Sequence, residues 1–265
     1  MIHMVSAHSL YSSKIIKAGA LIADTELLFL HWQIAQSVQL NMKNLKETNA
    51  FGKASRSRIQ DILTVFRQRY MQDGSLPAAL AALAQNHLPT HELTPILYAL
   101  SALNDTLLRD VVIDVILPRW ERQLFDITPG DLRLWLDEQI ALGKTTSAWG
   151  ELTRVCAVRN MMSALRDFGV LEGKNRKRIR RPALPIRSFA FLARWLQTSQ
   201  ASGEKILQHP LWRLFYLRAP DVERIFVEAD LSQLLSYQAA GSIVRIDFPK
   251  SSLEEYAHAI ARTTL

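Results

Sequence analysis

Thr145-Thr146-Ser147-Ala148-Trp149-Gly150-Glu151-Leu152 leads into Thr153-Arg154-Val155-Cys156-Ala157-Val158-Arg159-Asn160-Met161-Met162-Ser163-Ala164-Leu165-Arg166-Asp167-Phe168-Gly169-Val170-Leu171. A run with Lys174, Arg176, Lys177, Arg178, Arg180 and Arg181 follows, and the stretch closes at Arg187. Val158, Met161, Met162, Leu165 and Phe168 recur at three- and four-residue steps, which predicts a helix from about Cys156 burying them on one side. Arg159, Asn160, Ser163 and Asp167 then face the other way. Gly169 ends the helix, because glycine tolerates the left-handed cap conformation. Val170-Leu171 and Ile179 to Pro185 are expected as two short strands around a basic turn. Helix, glycine, strand, basic loop, strand is the layout of a winged helix-turn-helix, whose second helix enters the DNA major groove.

Charge sharpens this reading. Lys144 to Arg187 holds eleven Lys and Arg against three acids, Glu151, Asp167 and Glu172, a net of +8. The whole chain nets +7, so the other 221 residues carry −1. An excess confined to a sixth of the chain makes a directed field, which points to nucleic acid more than to general solubility. The plain structural alternative is a solvated loop.

With 265 residues, 48% of them apolar and 22% charged, the chain has room for one large or two to three small domains and for a real core. The single cysteine, Cys156, excludes an internal disulfide framework and a four-cysteine zinc site. It fits a reducing compartment and a small packing role. The apolar stretches Ala18 to Ala23 and Leu27 to Leu30 are split by Asp24 and Glu26, well short of the ~20 residues of a spanning helix. Met1 to Leu10 lacks the pattern of a signal peptide. A cytoplasmic protein without membrane contact is expected.

Along the chain, helices are expected over Lys14 to Ala23, capped by Ser12-Ser13, from Asp24 or Thr25 through Gln36, and from Ser55 or Ser57 to about Met71. In the last, Ile59, Ile62, Leu63, Phe66 and Tyr70 form one stripe, with Arg56, Arg58, Arg67 and Arg69 mainly off it. Leu40 to Ala54, with its asparagines and Gly52, reads as a loop. Leu76 to Gln85, Glu92 to Leu103 and Asp105 to Leu117 follow as helices, the last ended by Pro118. Thr128-Pro129-Gly130-Asp131 starts the helix that runs through Leu142. After the wing, Ser188 to Thr198, Leu211 to Leu217 and Asp221 to Ala239 read as helical. Ser242 to Phe248 is the best strand in the chain, and Ser251 or Ser252 with Glu254 and Glu255 opens a terminal helix. The fold class is therefore mainly α: an all-helical bundle over 1–125, a winged helix-turn-helix with a short β-hairpin wing over 126–187, and a C-terminal helical region with one β-strand over 188–265. That strand either joins the wing or belongs to a separate small unit.

Three blocks, Tyr11 to Leu21, Asn49-Ala50-Phe51 with Ser55 to Tyr70, and Val158 to Leu171, resemble in order and spacing the BrxA family of bacteriophage exclusion (BREX) defence systems, formerly described as a putative inner-membrane family. The resemblance spans most of the chain and rests on apolar pattern and short words, with no catalytic motif. It implies a small nucleic-acid-binding accessory protein of phage defence, with other BREX components as partners and a helical part similar to NusB-type RNA-binding bundles.

Enzymatic signatures do not assemble. Gly-x-x-x-x-Gly-Lys-Ser/Thr does not occur, and Pro89 breaks the helix that would align His87 with His91 for a metal. Acidic pairs such as Glu254-Glu255 and Asp137-Glu138 read as helix-surface charges. No enzyme activity, cofactor or metal is expected. Trp135, Trp149, Phe168, Phe189 and Trp195 flank the basic unit and read as core more than as base-stacking platforms. Three functions stay open. In duplex-DNA binding, Arg159, Asn160 and Ser163 face base edges, Arg154 adds a contact, and Lys174, Arg176, Lys177, Arg178, Arg180 and Arg181 hold phosphates, with Arg176 to Arg178 at the wing tip. The alternatives are an antitermination-like RNA factor using Arg56 or Arg58 on a second basic face, with RNA ranked below DNA, and a protein-interaction adaptor within the defence complex.

Overall fold

A computed structural model describes residues 10–15, 19–53, 55–200, 202–241, 243–250 and 252–263. Ile16, Lys17 and Ala18, in the middle of the first expected helix, lie outside the described residues, as does most of Met1 to Leu10. The described residues are mainly helical, with two small antiparallel sheets among them.

Helix α1 spans Ile22–Leu30, ending six residues before the expected Gln36. Trp32 folds back into the core on the turn that follows. The expected loop from Leu40 needs correction, because α2 spans Val38–Glu47. Ser37 caps it by accepting from the Leu40 amide at 3.2 Å, while Met42 and Leu45 are buried. Asn41, a loop signal by composition, is buried inside this helix. Its side chain accepts from the Gln33 amide at 2.8 Å and donates to the Gln33 carbonyl at 2.9 Å. A buried amide is tolerated when its donors and acceptor are all engaged.

Ser55 caps α3, Arg56–Tyr70, whose apolar stripe is buried as expected. Arg69 departs from expectation, being 1% exposed. It donates to the Gly19 and Ala20 carbonyls at 2.7 and 3.1 Å and so ties α3 to the segment before α1. Helices α4, Leu76–Gln85, and α5, Thr90–Asn104, complete the centre of the bundle. Asp105 caps α6, Thr106–Asp110, which widens into a π-helical stretch over Val111–Ile116 and resumes as α7, Leu117–Glu121. Pro118 therefore does not end the helix. It lacks the N–H that would reach back to Asp114, and the wider π ladder before it absorbs that gap.

Strand β1, Asp126–Ile127, precedes α8, Pro129–Ala141, and α9, Glu151–Asp167. Strands β2, Leu171–Glu172, and β3, Lys177–Ile179, form an antiparallel pair, and β1 adds to the far edge of β3 in the order β1-β3-β2. The second strand thus starts two residues before the expected Ile179 and stops there. Helix α10, Ile186–Gln197, short α11, Gly203–Leu207, a 3₁₀ segment over Pro210–Phe215 and α12, Ala219–Leu231, follow.

The expected helix from Asp221 to Ala239 stops at Leu231, and the C-terminal region holds two strands where one was expected. Strand β4, Ser236–Ala240, pairs with β5, Ile243–Asp247, around Gly241 at φ 60°. The Tyr237 ring stacks on Phe226 of α12, centroids 5.4 Å apart, which draws β4 back onto that helix. The C-terminal strand therefore joins β4 and not the β1-β3-β2 sheet. Ser252 and Glu255 form the capping box of α13, Leu253–Arg262.

The apolar core runs without interruption past residues 125 and 187. Helix α13 packs on α4, and α10 packs on α5 and α13. Tyr98 of α5 lies with its ring 5.5 Å from both Phe168 and Phe215. The buried Phe168 closes this junction with the bundle.

Candidate nucleic-acid interface

Local chemistry fixes α8 first. Thr128 accepts from the Asp131 amide at 3.2 Å, Asp131 accepts from the Thr128 amide at 2.8 Å, and Pro129 occupies the first turn. Burial pulls the Asp131 carboxyl upward, but the Thr128 bonds and the Arg119 guanidinium hold it below the usual aspartate range. Arg133 of α8 bonds Asp137 at 2.8 Å and Glu151 of α9 at 2.5 Å, while Arg154 of α9 reaches Asp137 at 3.1 Å. Two cations and two acids thus clasp α8 to α9 over the buried Leu132, Leu136, Val158, Met161 and Leu165. The turn between the helices is held from outside: the Tyr11 amide donates to the Lys144 carbonyl at 2.7 Å, and the Thr146 amide donates to the Tyr11 carbonyl at 3.2 Å.

The β2–β3 turn, expected as the wing, depends on Gly173. Its φ is 90°, and a Cβ there would stand 2.1 Å from the Arg176 carbonyl oxygen, so no other residue fits. Lys174, Asn175 and Arg176 occupy the exposed turn. Lys177 and Arg178 belong to β3, not to the tip where sequence reasoning placed them. Lys177 donates to the Gly173 carbonyl at 2.6 Å. Burial, and secondly the like charge of Arg166, hold its amine below the usual lysine range.

Between α9, the first turn of α8 and this hairpin lies an open groove of about 540 Å³. It collects Arg159, Ser163, Lys174 and Lys177 from the expected set. It adds Arg133, Arg166 and Asn175, which sequence reasoning missed, over an apolar floor of Pro129, Val155, Val158 and Met162. Arg166 at i+7 from Arg159 shares its helix face, a signal available in the sequence; Arg133 becomes visible only once α8 and α9 are paired.

The remaining expected residues have other engagements. Asn160 donates to the Cys156 carbonyl of its own helix at 2.7 Å. Arg178 stands 3.7 Å from Asp126 and Arg180 3.9 Å from Glu172, both pairs well exposed. Arg181 donates to the Phe215 carbonyl at 3.3 Å. Arg56 and Arg58 sit in the first turn of α3, on the bundle.

A second groove, about 390 Å³, runs between α2 and α3 and is lined by Lys43, Lys46, Gln60, Thr64 and Arg67 among others. Arg56 and Arg58 do not line it. Trp149, Phe168, Phe189 and Trp195 are core residues, and Trp135 packs with Tyr11 at 6.1 Å between ring centroids. Among the described residues no group of three His, Cys, Asp or Glu is placed to hold a metal ion, and no helix is long and apolar enough to cross a membrane.

Compared with known proteins, the chain matches the model of one family, BrxA, over residues 9–195. No curated protein and no solved structure matches it.

Proposed function

The chain belongs to the BrxA family, and from that premise, which points to a role in BREX phage defence, we propose that it is a non-enzymatic, cytoplasmic accessory protein that binds double-stranded DNA. In this reading α8, the turn and α9 are a helix-turn-helix and β1-β3-β2 its wing. Helix α9 approaches the major groove and the wing holds the backbone. The order of elements, the clasp that fixes α8 against α9, and the sheet of three short strands support that assignment.

One observation carries it. Arg159 and Lys174, which line one groove, and Arg176 on the neighbouring turn are exposed and, among the described residues, make no ion pair or side-chain hydrogen bond. Clustered cations without acidic partners keep their field for a polyanion.

The test is titration of the purified protein against matched duplex DNA, duplex RNA and single strands at two salt concentrations. Duplex DNA is expected to bind most tightly, with affinity falling steeply with salt. Tighter RNA binding at both salts would transfer the function to RNA. Absence of binding to any of them would leave protein docking, which the exposed Leu134 and Leu152 beside the clasp favour as the second reading.

A further inference from the structure

We propose that the groove between α9 and the wing seats the sugar-phosphate backbone of one DNA strand, and that Val155 with the edges of Val158 and Met162 selects deoxyribose over ribose. This rests on the duplex-DNA reading above and names which part of the DNA the groove takes.

Two chemistries line the groove. Cations stand on both walls, Arg159 and Arg166 on α9 and Lys174 and Lys177 on the wing. Between them, Val155, Val158 and Met162 recur at three- and four-residue steps along α9 and form a floor without a polar atom in its side chains. Val155 is 47% exposed and opens the floor to an occupant, while Val158 and Met162, each 4% exposed, show only their edges beside it. Base edges in the major groove present mainly donors and acceptors, with the thymine methyl as the exception. The backbone is different: phosphates alternate with sugars, and the 2′ carbon of deoxyribose is an apolar methylene. Charge on the walls matches the phosphates, and the apolar floor matches the sugar.

A ribose in the same seat would press its 2′-hydroxyl against valine and methionine side chains. That hydroxyl is what distinguishes RNA from DNA at any given contact. Among the described residues Ser163 is the one hydroxyl side chain lining the groove, and Arg166 Nη2 already donates to it at 3.3 Å. An unpaired buried hydroxyl is expected to weaken binding by about 5- to 150-fold.

The experiment uses the full chain and one duplex sequence in three forms: all deoxyribose, one strand with several ribonucleotides, and one strand with 2′-fluoro sugars at the same positions. Fluorine imposes a ribose-like pucker without a hydrogen-bond donor, so it separates shape from polarity. Fluorescence anisotropy is expected to show the ribo-substituted duplex weakened by about 5-fold or more and the 2′-fluoro duplex within about two-fold of DNA. Val155→Ser, at an exposed position, supplies a partner for the hydroxyl and should shrink the gap while leaving the melting temperature unchanged. Equal weakening by ribose and fluorine would mean that helix shape is read, and overturns the proposal. So would equal binding of all three forms, or a gap unchanged in V155S. Failure of the all-DNA duplex to bind would instead sink the underlying DNA reading.

Discussion

The basic stretch that dominates the sequence contains two kinds of arginine, and the wing and the α5–α10 junction show them side by side. Arg176, on the wing turn, is exposed and projects into solvent. Arg187, eleven residues later, bonds both carboxylate oxygens of Glu92 at 2.6 Å. It also donates to the Thr263 carbonyl at 2.9 Å, with 14% of its side chain exposed. One residue ties the centre of the bundle, the start of α10 and the end of α13 together. The other contributes nothing visible to the fold. Charge counting treats the two alike. Burial separates them, because a desolvated guanidinium persists only where carboxylate and carbonyl oxygens replace water.

Removing Arg187 should therefore have the largest effect. Arg187→Ala leaves the buried Glu92 carboxylate with only the exposed His91 ring, 3.7 Å away, beside it, which costs about 3–5 kcal/mol. Thermal unfolding should fall accordingly, by roughly 6–20 °C for a chain of this size. A melting temperature within a degree or two of wild type would show that the junction is dispensable and that the contrast with Arg176 is one of appearance only.

The next effect is on binding and not on stability. Each phosphate contact adds about 0.9 to the salt slope of log affinity on B-DNA. Changing Lys174, Arg176 and Lys177 together to Ala should flatten that slope by up to about three. It should cost stability little beyond the Lys177–Gly173 hydrogen bond, about 0.5–1.5 kcal/mol. An unaltered slope would make the wing a solvated loop or a protein-docking surface, and the adaptor reading would take first place.

Much of the fold was legible because its local rules are strong. Thr128 with Asp131, and Ser252 with Glu255, announce helix starts through side chains three residues apart. The stripe from Val158 to Phe168 announces the buried face of α9. What stayed hidden is non-local or locally contradictory. Asn41 reads as a loop residue until the Gln33 backbone is seen to satisfy it. Ser236 to Ala240 lacks alternation and continues a helical pattern; its strand exists because Tyr237 finds Phe226 and because β5 offers a partner. Two-residue β1 is too short to leave a periodicity, yet it forms an edge of the three-stranded sheet. The site was legible as a charge excess, but its groove was not. The acidic partners of Arg133, Arg154 and Arg187, and the apolar floor under Arg159, all depend on which helices meet.

The smallest expected effect comes from the bundle's own basic groove, and it sharpens the comparison most. Lys43, Lys46 and Arg67 line the space between α2 and α3 much as Arg159, Lys174 and Lys177 line the other. The similarity is superficial. Lys46 donates to Gln60 at 2.9 Å, and Lys43 stands 3.9 Å from Glu47 one helical turn away. These contacts are exposed and weak, but they give both amines a local partner that the wing turn does not offer Lys174. The groove is also smaller, about 390 against 540 Å³. Lys43, Lys46 and Arg67 changed together to Ala should alter the duplex-DNA salt slope by less than about one, the value of a single phosphate contact. The measurement is the same anisotropy titration at several salt concentrations, run beside the wing triple variant. If the bundle variant flattens the slope as much as the wing variant does, the DNA spans both grooves, and the wing loses its claim to be the principal site. If the bundle variant leaves duplex DNA untouched but weakens single-stranded RNA, two nucleic acids divide the two grooves, and the contrast between exposed cations with and without local partners becomes a contrast between ligands.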